Sequence, residues 1–326
     1  MKAVTMIFLL TVIFGFTVIA QTIKTPVAIN GALKVENNKI VNQNHTEPQL
    51  RGICLSWTLW QGQKYYNPSV VNWLVSDFNV SIIRACMAVQ PDHGYLQQPK
   101  AQVRLIEGVV DQAIKDGIYV LIDWHDHHGS EHTQQSKEFF AAMAKKYTGV
   151  PNVIYEIWNE PDTAKWDTIK NYAVQVITEI RKYDPDNLIV VGSPHWDQDV
   201  DIAAASPITG FKNIAYSFHF YASDPNHQQK LREKADCAIA EGLPLMITEW
   251  GGGEANGNGK FDRAEVNAWL QWMETNKLSW TNWNITDKAE TTALLLKGAS
   301  KKGGWTEGQL TPAGVYIRGE LRELNK

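Results

Sequence analysis

Residues 153–161 read VIYEIWNEP, an apolar run that ends in an amide, a carboxylate and a proline. The run predicts a buried strand over residues 153–158. Proline has no N–H to donate to a neighbouring strand, so Pro161 favours a chain that leaves the sheet at this point. Asn159 and Glu160 are then expected at the end of the strand. The alternative is a helix start, with Asn159 as N-cap and Glu160 in the first turn.

Similar apolar runs recur along the chain and alternate with segments of helical periodicity. The predicted strands are residues 50–55, 81–87, 119–124, 153–158, 188–191, 214–220, 245–248 and 278–283. Strands that alternate with helices predict a parallel sheet, and eight such units in 326 residues predict a single-domain α/β fold, a (β/α)8 barrel. A doubly wound open sheet is the alternative, although no G-x-G-x-x-G follows the first strand.

Composition indicates an ordinary globular chain, with 44% hydrophobic and 20% charged residues. The net charge is −4 and there is no strongly basic stretch, so nucleic acid is not expected as a partner. The 13 tryptophans outnumber the 11 tyrosines and 10 phenylalanines. Tryptophan is often a core residue, but an excess also suits a groove in which flat rings stack.

The N-terminus has the pattern of a secretory signal peptide over residues 1–20. Lys2 precedes an apolar run over residues 6–19, and the small residue Ala20 marks the expected cleavage site. We therefore expect a secreted, extracellular protein that is not held at a membrane after cleavage. The alternative is a membrane anchor, for which the run is short. Cys54 and Cys86 lie on neighbouring predicted strands, and we interpret them as small buried side chains rather than as a disulfide.

Polar side chains stand at the predicted strand ends, where a (β/α)8 barrel carries its active site. They are Arg84, His125, Asn159, Glu160, His219, Tyr221, Glu249 and Trp283. Glu160 and Glu249 would face one cavity from the fourth and seventh strands. Two such carboxylates hydrolyse a glycosidic bond when one protonates the leaving oxygen and the other attacks the anomeric carbon or activates a water. Arg84 is the cation that would keep one of them ionised.

The segment DWHDHHGSEH, residues 123–132, allows a different hypothesis, a metal-dependent hydrolase. His125 and His127 alternate onto one face of an extended segment, as metal ligands do in some barrel enzymes. The other strand ends offer no obvious further ligands, so we predict no metal and no cofactor. The glycine-rich segment GGGEANGNGK, residues 251–260, lacks the G-K-[ST] of a phosphate loop and is typical of a flexible loop.

Seven motifs together resemble those of a known family. In chain order they are LRG, IIRACM, GIYVLIDWH, PNVIYEIWNEP, HFYA, ITEWG and WTNWNITDKAE. The ordered set, from about Leu50 to Leu324, resembles glycoside hydrolase family 5, and specifically its subfamily 2 of secreted endo-β-1,4-glucanases. Residues 21–48 are polar and are expected to form an N-terminal arm. No linker or second compositional region is visible, so residues 49–326 are expected to form a catalytic domain without a carbohydrate-binding module. The resemblance implies a β-glucan polysaccharide substrate, and because nothing in the sequence requires a partner protein, a monomer is expected.

The resemblance implies roles for residues at the reacting sugar. Glu160 would be the general acid/base and Glu249 the nucleophile of a retaining double displacement. Arg84 would hydrogen-bond the nucleophile, and Asn159 would hold the sugar 2-hydroxyl. His219 and Tyr221 would complete the catalytic group around the sugar. Substrate would also contact a further set, implied in the same way: His125, Trp60, Trp196, Ala255, Trp283, Lys288 and Glu290.

Two features keep other interpretations open. Ser56 and Ala88 stand where the subfamily often has a histidine and an aromatic residue, which leaves the strength of glucose binding either side of the cut open. The barrel and two glutamates are equally compatible with hydrolysis of mannan or xyloglucan. A carbohydrate-binding protein without catalysis is a further alternative, and the presence of both Glu160 and Glu249 argues against it.

Overall fold

The protein was analysed as a computed structural model, which describes Met1 and residues 24–326. Apart from Met1, the predicted signal peptide lies outside the described residues. The N-terminal part forms a short helix, Pro26–Asn30 (α1), and an antiparallel hairpin of Lys34–Glu36 (β1) and Lys39–Val41 (β2). The Tyr119 hydroxyl donates a hydrogen bond of 2.6 Å to the carbonyl of Gly31, which ties this part to the barrel.

A closed parallel barrel follows. Its strands are Arg51–Leu55 (β3), Ile82–Ala88 (β4), Tyr119–His125 (β5), Val153–Glu156 (β6), Ile189–Val191 (β7), Ile214–Tyr221 (β8), Leu245–Gly251 (β9) and Trp280–Ile285 (β10). Each strand pairs with the next along the chain, and β10 pairs with β3 to close the sheet. The predicted (β/α)8 barrel is therefore confirmed, and the open-sheet alternative is wrong.

Longer helices surround the barrel on the outside, and short helical turns occur between them. In chain order they are Trp60–Gln63 (α2), Pro68–Trp73 (α3), Pro99–Asp116 (α4), Thr133–Lys146 (α5), Trp166–Arg181 (α6), Pro194–Asp197 (α7), Val200–Ala205 (α8), Gln229–Ala240 (α9), Arg263–Thr275 (α10) and Pro312–Leu324 (α11). α2 and α7 are single turns at the mouth of the barrel, and residues 195–197 of α7 have left-handed φ angles in place of helical ones. A π-helical turn, Leu74–Phe78, continues α3, and 3₁₀ turns occur at Gly129–His132 and Glu307–Gln309. Within the described part of the chain, no helix combines the length and apolar character that crossing a bilayer requires.

The inside of the barrel changes character along each strand. In β5, Tyr119 and Leu121 belong to an apolar cluster, whereas Asp123 and His125 are the next side chains in the same alternation. In β6, Ile154 belongs to that cluster and Glu156 follows two residues later. The amino-terminal half of the barrel interior is therefore apolar, and the carboxyl-terminal half holds buried charges.

The predicted strand ends differ from the observed ends at the mouth of the barrel. β5, β8 and β9 run on to His125, Tyr221 and Gly251, so their polar residues lie within the strands. β6 instead ends at Glu156, although it was predicted to reach residue 158. The main-chain N–H of Ile157 still donates to Val190, but regular pairing has ended at this point.

Candidate active site

The chain that leaves β6 carries Asn159 and Glu160 into the mouth of the barrel. Its direction is set by Trp158, which is buried and packs edge-on against Tyr172 at 4.9 Å between ring centroids. Gly129 provides the space, because a Cβ there would lie 2.8 Å from the Trp158 ring. The N–H of Asn159 donates 3.1 Å to the Trp124 carbonyl, which holds the segment against β5.

Arg84 connects the side chains at the centre of the site. Its guanidinium is fully buried and donates from Nε to Glu156 Oε2 and from Nη1 to Glu249 Oε2, each over 2.6 Å. Nη2 donates to Asn159 Oδ1 over 2.6 Å and lies 3.0 Å from Asp123 Oδ2. One rigid guanidinium thus orients three carboxylates and one amide. Among the described residues, Nδ2 of Asn159 is buried and has no protein hydrogen-bond partner.

Glu160 and Glu249 face each other across a narrow gap. A carboxylate oxygen of each, together with a ring nitrogen of His219, lies within 4.8 Å of the other two. The Tyr221 hydroxyl donates to Glu249 Oε1 over 2.5 Å, so both oxygens of Glu249 are held. Burial and the nearby charge of Glu249 raise the pKa of Tyr221 well above its ordinary value, so its hydroxyl remains a donor.

His219 is hydrogen-bonded to Glu160, with 2.9 Å between Nδ1 and Oε1. Burial lowers the pKa of His219, but Asp197, Glu156 and Glu160 outweigh it and raise that pKa well above its ordinary value. Burial raises the pKa of Glu160, while the hydrogen bond and charge of His219 bring it below its ordinary value. Both directions place the proton of this pair on Nδ1 of His219, which donates it in the hydrogen bond to Oε1 of Glu160.

His125 occupies the wall of the site in its neutral form. Its Nδ1 lies 2.6 Å from Asp123 Oδ2, and its ring stacks parallel to Trp283 with centroids 5.5 Å apart. Burial and the charge of Arg84 lower the pKa of His125 to about 3. The ring is therefore uncharged near neutral pH, and its Nδ1 is in a hydrogen bond with Asp123.

The low pKa of His125 predicts a loss of stability in acid. Because the folded pKa lies below the ordinary 6.5, the unfolded chain binds the proton more tightly and the stabilising contribution falls as the pH drops from about 6.5 to 3. His125→Gln is expected to flatten the pH dependence of the free energy of unfolding in this window. Urea unfolding of both proteins at several pH values measures this dependence. An equal change of the free energy of unfolding with pH in the two proteins would contradict the prediction.

An open cleft crosses the barrel mouth, with Tyr221 and Ala255 lining the cavities on both sides. One cavity of about 500 Å³ is lined by Trp57, Trp60 and Trp283 and by the ion pair of Lys288 and Glu290, whose atoms are 2.5 Å apart. The other, of about 740 Å³, is lined by Trp196 among other residues. Trp60 and Trp196 are 62% and 40% exposed, so both offer a flat face to a ligand.

The structure brings together every side chain that the sequence placed at the strand ends. The site also contains three buried carboxylates to which the sequence motifs assign no role, namely Asp123, Glu156 and Asp197. Asp123 and Glu156 had a signal, because each interrupts an apolar strand at an inward position. Cys54 and Cys86 are both buried free thiols, which fits the interpretation of small buried side chains.

Within residues 24–326, three sets of donor atoms have spacings that a metal ion accepts. They are Cys86, Asp123 and His125; Glu156, Asp197 and His219; and Glu160, His219 and Glu249. Arg84 contacts Asp123, Glu156 and Glu249, so each set already has a guanidinium beside a carboxylate. A bound cation would meet that charge at close range, which makes these sets poorly suited to a metal. His127, the second histidine of the metal hypothesis, has its Nδ1 3.7 Å from Oε2 of Glu160.

A (β/α)8 barrel with two facing glutamates at the ends of its fourth and seventh strands defines a barrel glycoside hydrolase. The model of the family described as Cellulase (glycosyl hydrolase family 5) matches residues 41–289. The chain therefore belongs to glycosyl hydrolase family 5, as the sequence motifs predicted.

Named relatives agree with this assignment. Endoglucanase 5 of Pectobacterium carotovorum subsp. carotovorum is 39% identical over 91% of the chain, and endoglucanase Z of Dickeya dadantii is 44% identical over 79%. The chain spans 59% and 60% of the length of these two relatives.

Solved structures agree at the level of the whole fold. A structure from Cytophaga hutchinsonii is 44% identical, with a TM-score of 0.90, and the match covers 93% of this chain and 98% of that one. The catalytic domain of Thermobifida fusca endoglucanase Cel5A, in complex with cellotetraose, is 30% identical, with a TM-score of 0.86, and the match covers 91% of this chain and 99% of that one.

Proposed function

We propose that the chain is a retaining endo-β-1,4-glucanase of subfamily 2 that hydrolyses internal bonds of cellulose and soluble β-glucans. The observation that carries the proposal is the carboxylate spacing. Oxygens of Glu160 and Glu249 lie within 4.8 Å, whereas an inverting enzyme needs roughly 6.5–9.5 Å to fit a water. Retaining enzymes place the two groups about 5–5.5 Å apart.

In the first step a carboxylate oxygen of Glu249 attacks the anomeric carbon. The bond from that carbon to the glycosidic oxygen breaks, and the leaving oxygen takes a proton from Glu160, which is supplied by His219 through the Nδ1–H···Oε1 hydrogen bond. Arg84 and Tyr221 hold Glu249 in position through bonds of 2.6 and 2.5 Å. The product is a glycosyl ester of Glu249 with inverted configuration.

In the second step Glu160 acts as a base. It accepts a proton from a water that attacks the same carbon from the side vacated by the leaving group, and the ester bond to Glu249 breaks. The second inversion restores the original configuration. Asn159 supports both steps, since its unpartnered Nδ2 can donate to the 2-hydroxyl while Arg84 fixes its Oδ1. The remaining ligand contacts are proposed for His125, Trp60, Trp196, Ala255, Trp283, Lys288 and Glu290.

The shape of the cleft supports action inside a chain. Cavities lie on both sides of the two glutamates, and an exposed tryptophan lines each cavity. A β-1,4-linked chain presents flat apolar ring faces, which stack on indoles. A polymer can therefore lie across the glutamates with sugars bound on either side of the cut.

The proposal is tested by following the first product by proton NMR on cellohexaose. Retention predicts that the β-anomer appears first and mutarotates afterwards to the equilibrium mixture. Initial α-anomer would contradict the mechanism. Product sizing on carboxymethylcellulose, barley β-glucan, mannan and xyloglucan in the same experiment identifies the sugar. Faster cleavage of mannan or xyloglucan would contradict the proposed substrate while leaving the mechanism intact.

We also propose that the protein is exported and cleaved after Ala20. The proposal is supported by Lys2, the apolar run over residues 6–19 and the small residue at the expected cleavage site. The intact mass of the extracellular protein is expected to correspond to a chain that begins at Gln21. A mass that includes residues 1–20 would contradict it.

A further inference from the structure

Asp197 is a buried carboxylate directly behind the acid/base pair. It is fully buried, and its Oδ1 accepts a hydrogen bond of 2.5 Å from the Ser193 N–H. Its Oδ2 has no hydrogen-bond partner among the residues that the structure describes, and it lies 3.5 Å from Nε2 of His219. An unpaired buried carboxylate is costly, so its position calls for a compensating positive charge.

His219 is placed to supply that charge. Its Nε2 is 2.8 Å from the Thr248 hydroxyl and 3.8 Å from Glu156 Oε1, and its Nδ1 faces Glu160. Burial raises the pKa of Asp197 well above its ordinary value, while the charge of His219 opposes this. The titratable side chains whose charges act on His219, or on which its charge acts, are Asp123, Glu156, Glu160, Asp197 and Glu249. Arg84 offsets part of this negative charge through Glu156 and Glu249.

We propose that Asp197 is a positioning residue that keeps a proton on His219 and thereby maintains the Nδ1–H···Glu160 hydrogen bond from which the acid step draws its proton. The kinetic effect of Asp197 rests on the proposed function. The proposed protonation of His219 does not, because it concerns the protein without substrate.

The backbone around Asp197 is consistent with a role of this kind. His195, Trp196 and Asp197 are consecutive non-glycine residues with φ of 57°, 53° and 60°. A left-handed conformation is unfavourable for a residue that carries a side chain, so three in a row require compensation. The same turn exposes Trp196 to the cleft and directs Asp197 inward to His219, so one turn positions both side chains.

The direct test is a histidine NMR titration of the free protein, with the His219 signal assigned from a His219→Gln variant. In the wild type, His219 is expected to stay protonated above pH 7. In Asp197→Asn, which keeps the oxygen that binds Ser193, its titration is expected to move down by about 1–3 pH units, because one anionic neighbour is lost. Asp199→Asn is the matched control, since Asp199 lies in the same loop but pairs with Lys234 over 2.6 Å.

The kinetic test compares the alkaline limb of the pH profile of kcat/KM for the wild type, Asp197→Asn and Asp199→Asn. In Asp197→Asn the limb is expected to move to lower pH on cello-oligosaccharides, and much less on dinitrophenyl β-cellobioside, whose leaving group needs no proton. A His219 that is neutral at pH 7 in the wild type overturns the proposal, as does an unmoved titration in folded Asp197→Asn. If Asp197→Asn does not fold, Asp197→Ser, which also removes the charge, is titrated in its place with the same two outcomes. If the protein cleaves no β-glucan, the NMR result still stands.

Discussion

Glu249→Ala is expected to lower kcat on soluble β-glucan by about 10⁴–10⁶-fold, the range seen when a catalytic nucleophile is removed. The variant has no carboxylate to form the covalent intermediate, and Arg84 keeps Glu156 and Asp123 as partners. The fold is expected to persist, because Glu249 lies at the open end of the barrel and not in its apolar half. The measurement is initial-rate release of reducing sugar, with a thermal unfolding curve for each protein.

Glu241→Ala is the matched control, since Glu241 is an exposed glutamate at the end of α9. Addition of azide gives a second readout. A small anion fits the space left by the Glu249 side chain and attacks the anomeric carbon of an activated β-glycoside once. One displacement inverts, so the expected product is an α-glycosyl azide. Residual activity above a few per cent, or a β-azide, would show that Glu249 is not the nucleophile.

The barrel could be predicted because its strands are covered on both faces and appear as continuous apolar runs. The ends of the strands were less predictable. His125, Tyr221 and Glu249 lie inside strands that pair beyond the apolar run, because parallel hydrogen bonding does not depend on side-chain polarity. β6 ends early at Glu156, where the packing of Trp158 against Gly129 redirects the chain.

The buried charges around Arg84 show where sequence reasoning reached its limit. Asp123 and Glu156 were inside predicted strands, and alternation from Leu121 and Ile154 would have turned them inward. Their role depends on Arg84, whose reach across the barrel is a property of the closed sheet. Asp197 had no comparable signal, because it lies in a turn of left-handed residues that no apolar period describes.

The arrangement favours function over stability. Each carboxylate beside Arg84 pays a desolvation penalty, and the pKa of Glu156 falls to about 2 because Arg84 and His219 more than offset its burial. An apolar barrel mouth would cost less to fold. The charges are useful because Arg84 holds Glu249 in place beside the hydrogen-bonded pair of Glu160 and His219.

Glu160→Ala is expected to act differently on substrates that differ in their leaving group. On cello-oligosaccharides, kcat/KM is expected to fall by about 10²–10⁴-fold, the usual contribution of a general acid. On dinitrophenyl β-cellobioside the first step needs no proton and stays fast, while the second step lacks its base and becomes slow. The expected result is a burst of dinitrophenolate equal to the enzyme concentration, measured by stopped flow, followed by slow turnover.

Azide again separates the roles of the two glutamates. In Glu160→Ala it replaces water in the second step and needs no base, so turnover is restored and the product is a β-glycosyl azide. The opposite configurations expected from the two variants follow from one displacement in Glu249→Ala and two in Glu160→Ala. The contacts are consistent with this pairing, since Arg84 and Tyr221 bind Glu249, whereas His219 is the hydrogen-bond partner of Glu160 in the described part of the chain. An equal loss of kcat/KM on both substrates in Glu160→Ala, without a burst, would contradict its role as acid and base.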